Sequence, residues 1–179
     1  MEYKEKLEQA VKEFQPEVEK FFDVNLGEIK LKPKEDLDKT SYKTYAGAYF
    51  LILGKGEIIP TDIIFYNPSI SNLISQSLAN YIATHEMCHI GHAKYVGSEK
   101  YISSEIFREV ISNYVTYELF NKKNQEIPKE SILEEITQDV FALKEHLSGI
   151  GKNLKEYLND KKSIFYDKEI LKKQKQYIN

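Results

Sequence analysis

Three of the chain's four histidines fall within eight residues, in the stretch YIATHEMCHIGHAKYVG at 81–97, and the fourth, His146, stands alone. This cluster constrains the fold more than any other feature. His85 and His89 face the same way only on a helix, where residues four apart lie on one side about a turn from each other. Leu73, Ile74, Leu78, Tyr81 and Ile82 recur at helical spacing and predict that helix independently. It is expected to be amphipathic, to run from about Ser69 and to stop at Gly97, a residue suited to the turn after a helix.

Residues 85–89 spell His-Glu-Met-Cys-His, an HExxH motif. Two imidazoles at i and i+4 can both reach a zinc ion at about 2.0–2.1 Å. Glu86 sits about 100° round the helix from His85, so it can approach an attacking water without displacing a ligand and serve as general base. The motif also arises by chance, so a third ligand must be found. The extended form, with glycine three residues and histidine six residues after the second histidine, fails: those positions hold His92 and Tyr95. The other solution is a carboxylate from the next helix, which offers Glu105, Glu109 and Glu118. His89 lies roughly 10 Å before the end of its helix at 1.5 Å per residue. If the next helix returns antiparallel from a cap at Ser103, the matching height falls near residue 110. Glu109 fits, and Glu118 overshoots. Glu105 falls about a turn short and stays open, because helix ends are uncertain by a residue or two.

The rest of the chain supplies a frame for these helices. Tyr3, Leu7, Val11, Phe14, Val18 and Phe21 form one apolar stripe and predict a helix over 2–22, which Pro16 must kink or divide. GEIKLKP reads as a short edge strand. AYFLIL, the turn GKG, EIIP and DIIFYN read as an antiparallel sheet of about three strands. After the glutamate helix, Ser131 and Glu134 form a capping box for a helix ended by Gly149, and weaker helical stretches cover 153–159 and 168–178. The expectation is a single α+β domain over 1–179: a core at about 28–122, an N-terminal helix over 2–22 and a C-terminal helical region over 128–179.

Around Glu109 the chain reads REVISN. This resembles the glutamate-helix pattern of thermolysin-like gluzincins, Asn-Glu-x-Ile-Ser-Asp, in which the glutamate binds zinc and the carboxylate four residues on hydrogen-bonds a zinc-binding histidine. Those roles would fall to Glu109 and Asn113. Asn113 departs from the pattern; its amide oxygen can accept an imidazole N–H but adds no charge. Small peptidases of the ImmA/IrrE type also carry Asn at this offset. The resemblance covers roughly 44–118 and is closest to the small archaeal minigluzincins. It implies a zincin-like fold with a small antiparallel sheet packed on the HExxH and glutamate helices. It also implies zinc on His85, His89 and Glu109, Glu86 as general base, and a peptide or protein substrate. In that superfamily an edge strand holds the substrate in extended form, and AGAYF, 46–50, is the candidate strand. Some minigluzincins are kept latent by a terminal segment over the cleft. The region 128–179 is therefore expected either to cover the site or to complete the core. The rival readings are a catalytically inactive zincin-fold protein that binds a partner, a peptide-binding regulator with a vestigial metal site, and an intracellular repressor-cleaving peptidase of the ImmA/IrrE type.

Cys88 is expected to be a small core residue and His92 a solvent-facing or supporting histidine. Thermolysin-like enzymes stabilise the oxyanion with a downstream histidine or tyrosine, but nothing around His146 marks it for that role, and Tyr114 and Tyr117 cannot be told apart from the other tyrosines. A net charge of −3 and a pI near 5.9 leave no basic footprint for nucleic acid. The glycines of GKG and SGIGKN do not have phosphate-loop spacing. One cysteine excludes an internal disulfide, the N-terminus is charged throughout, and no apolar run could span a membrane. The expectation is a soluble, cytoplasmic protein.

Overall fold

A computed structural model describes residues 1–34, 46–52, 58–70, 74–97, 100–101, 105–128 and 133–160. Helix α1, Tyr3–Phe22, buries Tyr3, Leu7, Ala10, Val11, Phe14, Val18 and Phe22 on one stripe. A reciprocal pair between Glu2 and Glu5 caps its start, and Asp23, in the left-handed region, ends it. The helix runs through Pro16 without dividing, so of the two expected outcomes a second helix does not form. Both Pro16 and Lys12 are exposed, so the Lys12 carbonyl that proline leaves without an intrahelical donor faces water.

Strands β1 (Lys30–Pro33), β2 (Ala46–Ile52) and β3 (Ile58–Tyr66) form a sheet in the order β1-β3-β2. The sheet is mixed rather than antiparallel. β2 pairs antiparallel with β3, but β1 lies parallel to β3, from Lys30 opposite Ile63 to Pro33 opposite Tyr66. EIIP and DIIFYN are one strand, not two. Pro60 is tolerated because β1 pairs only from Ile63 onward, so this end of β3 has a side without a neighbouring strand among the described residues.

Helix α2, Gln76–Val96, starts at Ser75, whose side chain accepts from the Leu78 N–H, six residues later than the apolar stripe suggests. Asn67 and Ser69 instead form a turn ahead of it. Gly97 (φ 81°) ends the helix as expected. The helix is not amphipathic in place: every residue from Leu78 to Ala93 is buried, because α1, β2, β3 and the next helix, α3 (Glu105–Lys122), all pack against it. At Gly91 the approach of α1 is so close that a Cβ would meet the Phe22 ring at 2.7 Å. Phe14 of α1 stacks on Phe120 of α3 at 5.1 Å, each such buried ring contributing roughly 1.5–3 kcal/mol.

Helix α4, Leu133–Ile150, packs on α3 and is followed by α5, Leu154–Asn159. Gly149 lies inside α4. Gly151 (φ 64°) is the residue that turns the chain, with the Lys152 N–H donating to the Leu147 carbonyl. Val140, Leu143, Leu147, Leu154, Tyr157 and Leu158 belong to the same apolar core as α1 and α2. The stretch 140–158 thus contributes to the core. The expected caps at Ser103 and Ser131, the side chain of Glu134, the GKG turn, Leu73 and the stretch 168–178 lie outside the described residues. No helix among the described residues is long and apolar enough to cross a membrane.

Candidate metal centre

The middle of α2 and the first half of α3 meet under the sheet, and their polar side chains converge at one point. His85 Nε2 stands 3.0 Å from His89 Nε2 and 3.2 Å from Glu109 Oε2, and His89 Nε2 is 3.4 Å from the same oxygen. The rings of His85 and His89 are 4.6 Å apart and nearly perpendicular, so both Nε2 atoms point to one place. His85, His89 and Glu109 form a group that can hold a metal ion. No protein-family model, no curated protein and no solved structure matches this chain. What the group can do therefore rests on its own geometry and charge.

Of the three acidic candidates on α3, Glu109 reaches the histidines. Glu118 instead pairs with Lys144 of α4 at 3.3 Å, on another face. The side chain of Glu105 lies outside the described residues.

Two carboxylates surround the imidazoles. Burial alone would lower the pKa of His85, but Glu109 and Glu86 outweigh it, with a hydrogen-bond contribution from Asn113, and the net shift is upward. Burial acts to raise the pKa of Glu109, yet His89 and His85 hold it far below the usual carboxylate range. Glu86 is buried beside the group and its pKa is raised by that burial, with His85 and His89 acting in opposition. Such a pocket of imidazoles and carboxylates favours a cation.

Glu86 has one further partner, from the sheet. The ladder between β2 and β3 shifts register between Ala48 and Phe50, and the Ala48 N–H donates to Glu86 Oε2 at 2.7 Å. β2 thus presents a backbone donor to the carboxylate at the residue where the regular ladder ends. Among the described residues β2 has β3 as its neighbour on one side only, so its other edge lies beside Glu86.

The remaining candidates separate cleanly. Asn113 is buried next to His85. Cys88 is buried, accepts from the Thr116 hydroxyl at 3.7 Å, and its thiol is pushed up to about 12, so it is a core residue. His92 does not face solvent. It is buried against Phe22 and Tyr101, which pushes its pKa down to about 3 and keeps it neutral. His146 is buried edge-on to Tyr157 of α5, at 5.6 Å. Tyr117 meets Phe141 of α4, and Tyr114 is half-buried beside Glu118.

Three contributors escape the sequence reading: the Ala48 backbone, Ser112 and Tyr101. The hydroxyls of Ser112 and Tyr101 each stand 3.0 Å from His89 Nδ1. Ser112 lies inside REVISN, one turn after Glu109, so its position carried a signal. Tyr101 lies between the two helices, where no periodicity points to it.

Proposed function

We propose that this chain is a zinc-dependent peptidase of gluzincin type. The observation that carries the reading is the meeting of His85, His89 and Glu109 within 3.0–3.4 Å of one another beside a buried glutamate. Three ligands of a tetrahedral zinc ion, at bond lengths of about 2.0–2.1 Å, stand about 3.3 Å apart. Two imidazole nitrogens and one carboxylate oxygen are also the donors that an open, catalytic zinc site uses.

Bound by these three residues, zinc would supply Lewis acidity to a scissile carbonyl and to a water. Glu86 takes the water's proton and passes it to the leaving amine. Its burial suits it to this, since a carboxylate whose pKa is raised is the stronger base toward the water. The Ala48 N–H holds Oε2, so Oε1 would be the oxygen left to take the proton. Substrate lies along the outer edge of β2, residues 46–50, as an added strand. Asn113, buried next to His85, would accept the Nδ1–H of His85 once Nε2 is bound to the metal, and so hold that tautomer.

The zinc-loaded protein is expected to cleave an unstructured polypeptide such as casein, to lose that activity to a chelator and to regain it with zinc. A zinc-loaded, folded protein that leaves a broad peptide mixture intact would favour the partner-binding alternative. Asn113→Leu is expected to weaken zinc binding by roughly 10–100-fold, whereas Asn113→Asp should bind at least as tightly as the parent. Competition with a chromogenic chelator measures both. Unchanged affinity in the leucine variant would remove Asn113 from the site.

A further inference from the structure

His89 is supported in a way that nothing in the HExxH pattern requires. Its Nδ1 faces two hydroxyls, Tyr101 Oη and Ser112 Oγ, each at 3.0 Å, and both residues are buried. We infer that Tyr101 and Ser112 together are positioning residues for His89, fixing its ring and keeping the Nδ1 proton so that Nε2 remains the metal-binding atom. The inference rests on the zinc reading above.

The chemistry follows from the imidazole. A neutral ring carries one proton, and with Nε2 committed to a cation that proton is on Nδ1. Nδ1–H then donates to the two hydroxyl oxygens as one shared, three-centre hydrogen bond. Hydroxyls suit the task because their own O–H can rotate away, leaving a lone pair toward the ring. The other histidine has different surroundings: the buried residue next to His85 is an amide, Asn113.

Tyr101 is held tightly enough to position something else. The chain turns at Gly97, and the Tyr101 N–H donates to the Gly97 carbonyl at 3.1 Å, which returns the residue over α2. The Arg108 guanidinium lies 5.1 Å from the centre of its ring. The His92 ring meets it edge-on at 5.3 Å. Neutral His92 adds no charge beside His89. A side chain fixed on its flanks in this way loses little freedom when it accepts a hydrogen bond, and such preorganised support is what a metal ligand needs. Ser112 is fixed by α3 itself, one turn after Glu109, so the helix that brings the carboxylate also brings the support for the second histidine.

Tyr101→Phe, Ser112→Ala and the double variant test this. Phenylalanine keeps the ring and its contacts with His92 and Arg108, so the fold has little reason to change. The double variant is expected to bind zinc roughly 10–100-fold more weakly than the parent by chelator competition, and each single variant to lose less. With cobalt in place of zinc, the visible absorption bands should shift in the variants, which a merely structural role would not produce. Unchanged zinc affinity and an unchanged cobalt spectrum in a folded double variant would overturn the inference while leaving the zinc site intact. A parent that binds neither metal would instead overturn the zinc reading. Should the double variant not fold, Tyr101→Phe alone decides. In the zinc-loaded protein its His89 Nδ1–H resonance should move relative to the parent's, and identical resonances would overturn the proposal.

Discussion

Glu86→Gln is expected to abolish measurable peptide hydrolysis, a loss of about 10²–10⁴-fold, while the protein stays folded and keeps its zinc. The glutamine amide has the shape of the carboxylate, and its oxygen can still accept from the Ala48 N–H, which in the parent reaches Glu86 Oε2 at 2.7 Å. It cannot accept the water's proton. Glu86 is not one of the three grouped donors, so the metal should remain, and zinc content measured beside activity separates the two effects. A folded, zinc-loaded variant as active as the parent would take Glu86 out of the mechanism.

Truncation after Gln125 is expected to destroy the fold. The cut removes α4 and α5, and with them Val140, Leu143, Leu147, Leu154, Tyr157 and Leu158, all part of the one apolar core. Burial of each large apolar side chain is worth roughly 1.5–3 kcal/mol. Losing several together approaches the whole stability of a domain, about 5–15 kcal/mol. The Lys100 ammonium would also lose the Leu158 carbonyl, and Tyr95 would lose Asn159. The truncated chain should be insoluble or should lack a cooperative thermal transition by circular dichroism. A soluble, zinc-loaded truncation with higher peptidase activity would mean that this region is a removable cover over the site.

The site was more legible than the frame around it. His85 and His89 lie on one helical face because α-helical spacing dictates it, and Glu109 followed from matching heights along two helices. Both inferences use local geometry alone. Tyr101 and Ala48 were not legible. A residue between two helices and a backbone N–H on a strand edge meet their partners only when the chain is packed. The direction of β1 was hidden for a related reason: four residues at an edge carry no sign of whether their partner runs parallel or antiparallel, and the choice is made by the path between them. The burial of α2 on all sides misled the periodicity. Ile74 reads as the first turn of the helix but stands ahead of the Ser75 cap, buried in the core. At Pro16 the sequence left a kink and a division both open, and α1 continues undivided through it.

The central claim is that His85, His89 and Glu109 bind zinc, and elemental analysis tests it most directly. The protein should be purified without a metal-binding tag, exposed to zinc and freed of excess metal by gel filtration. One zinc ion per chain is expected, falling to near zero in a folded His89→Ala variant. Zinc near zero in the reconstituted parent, or one zinc retained in that variant, would contradict the account.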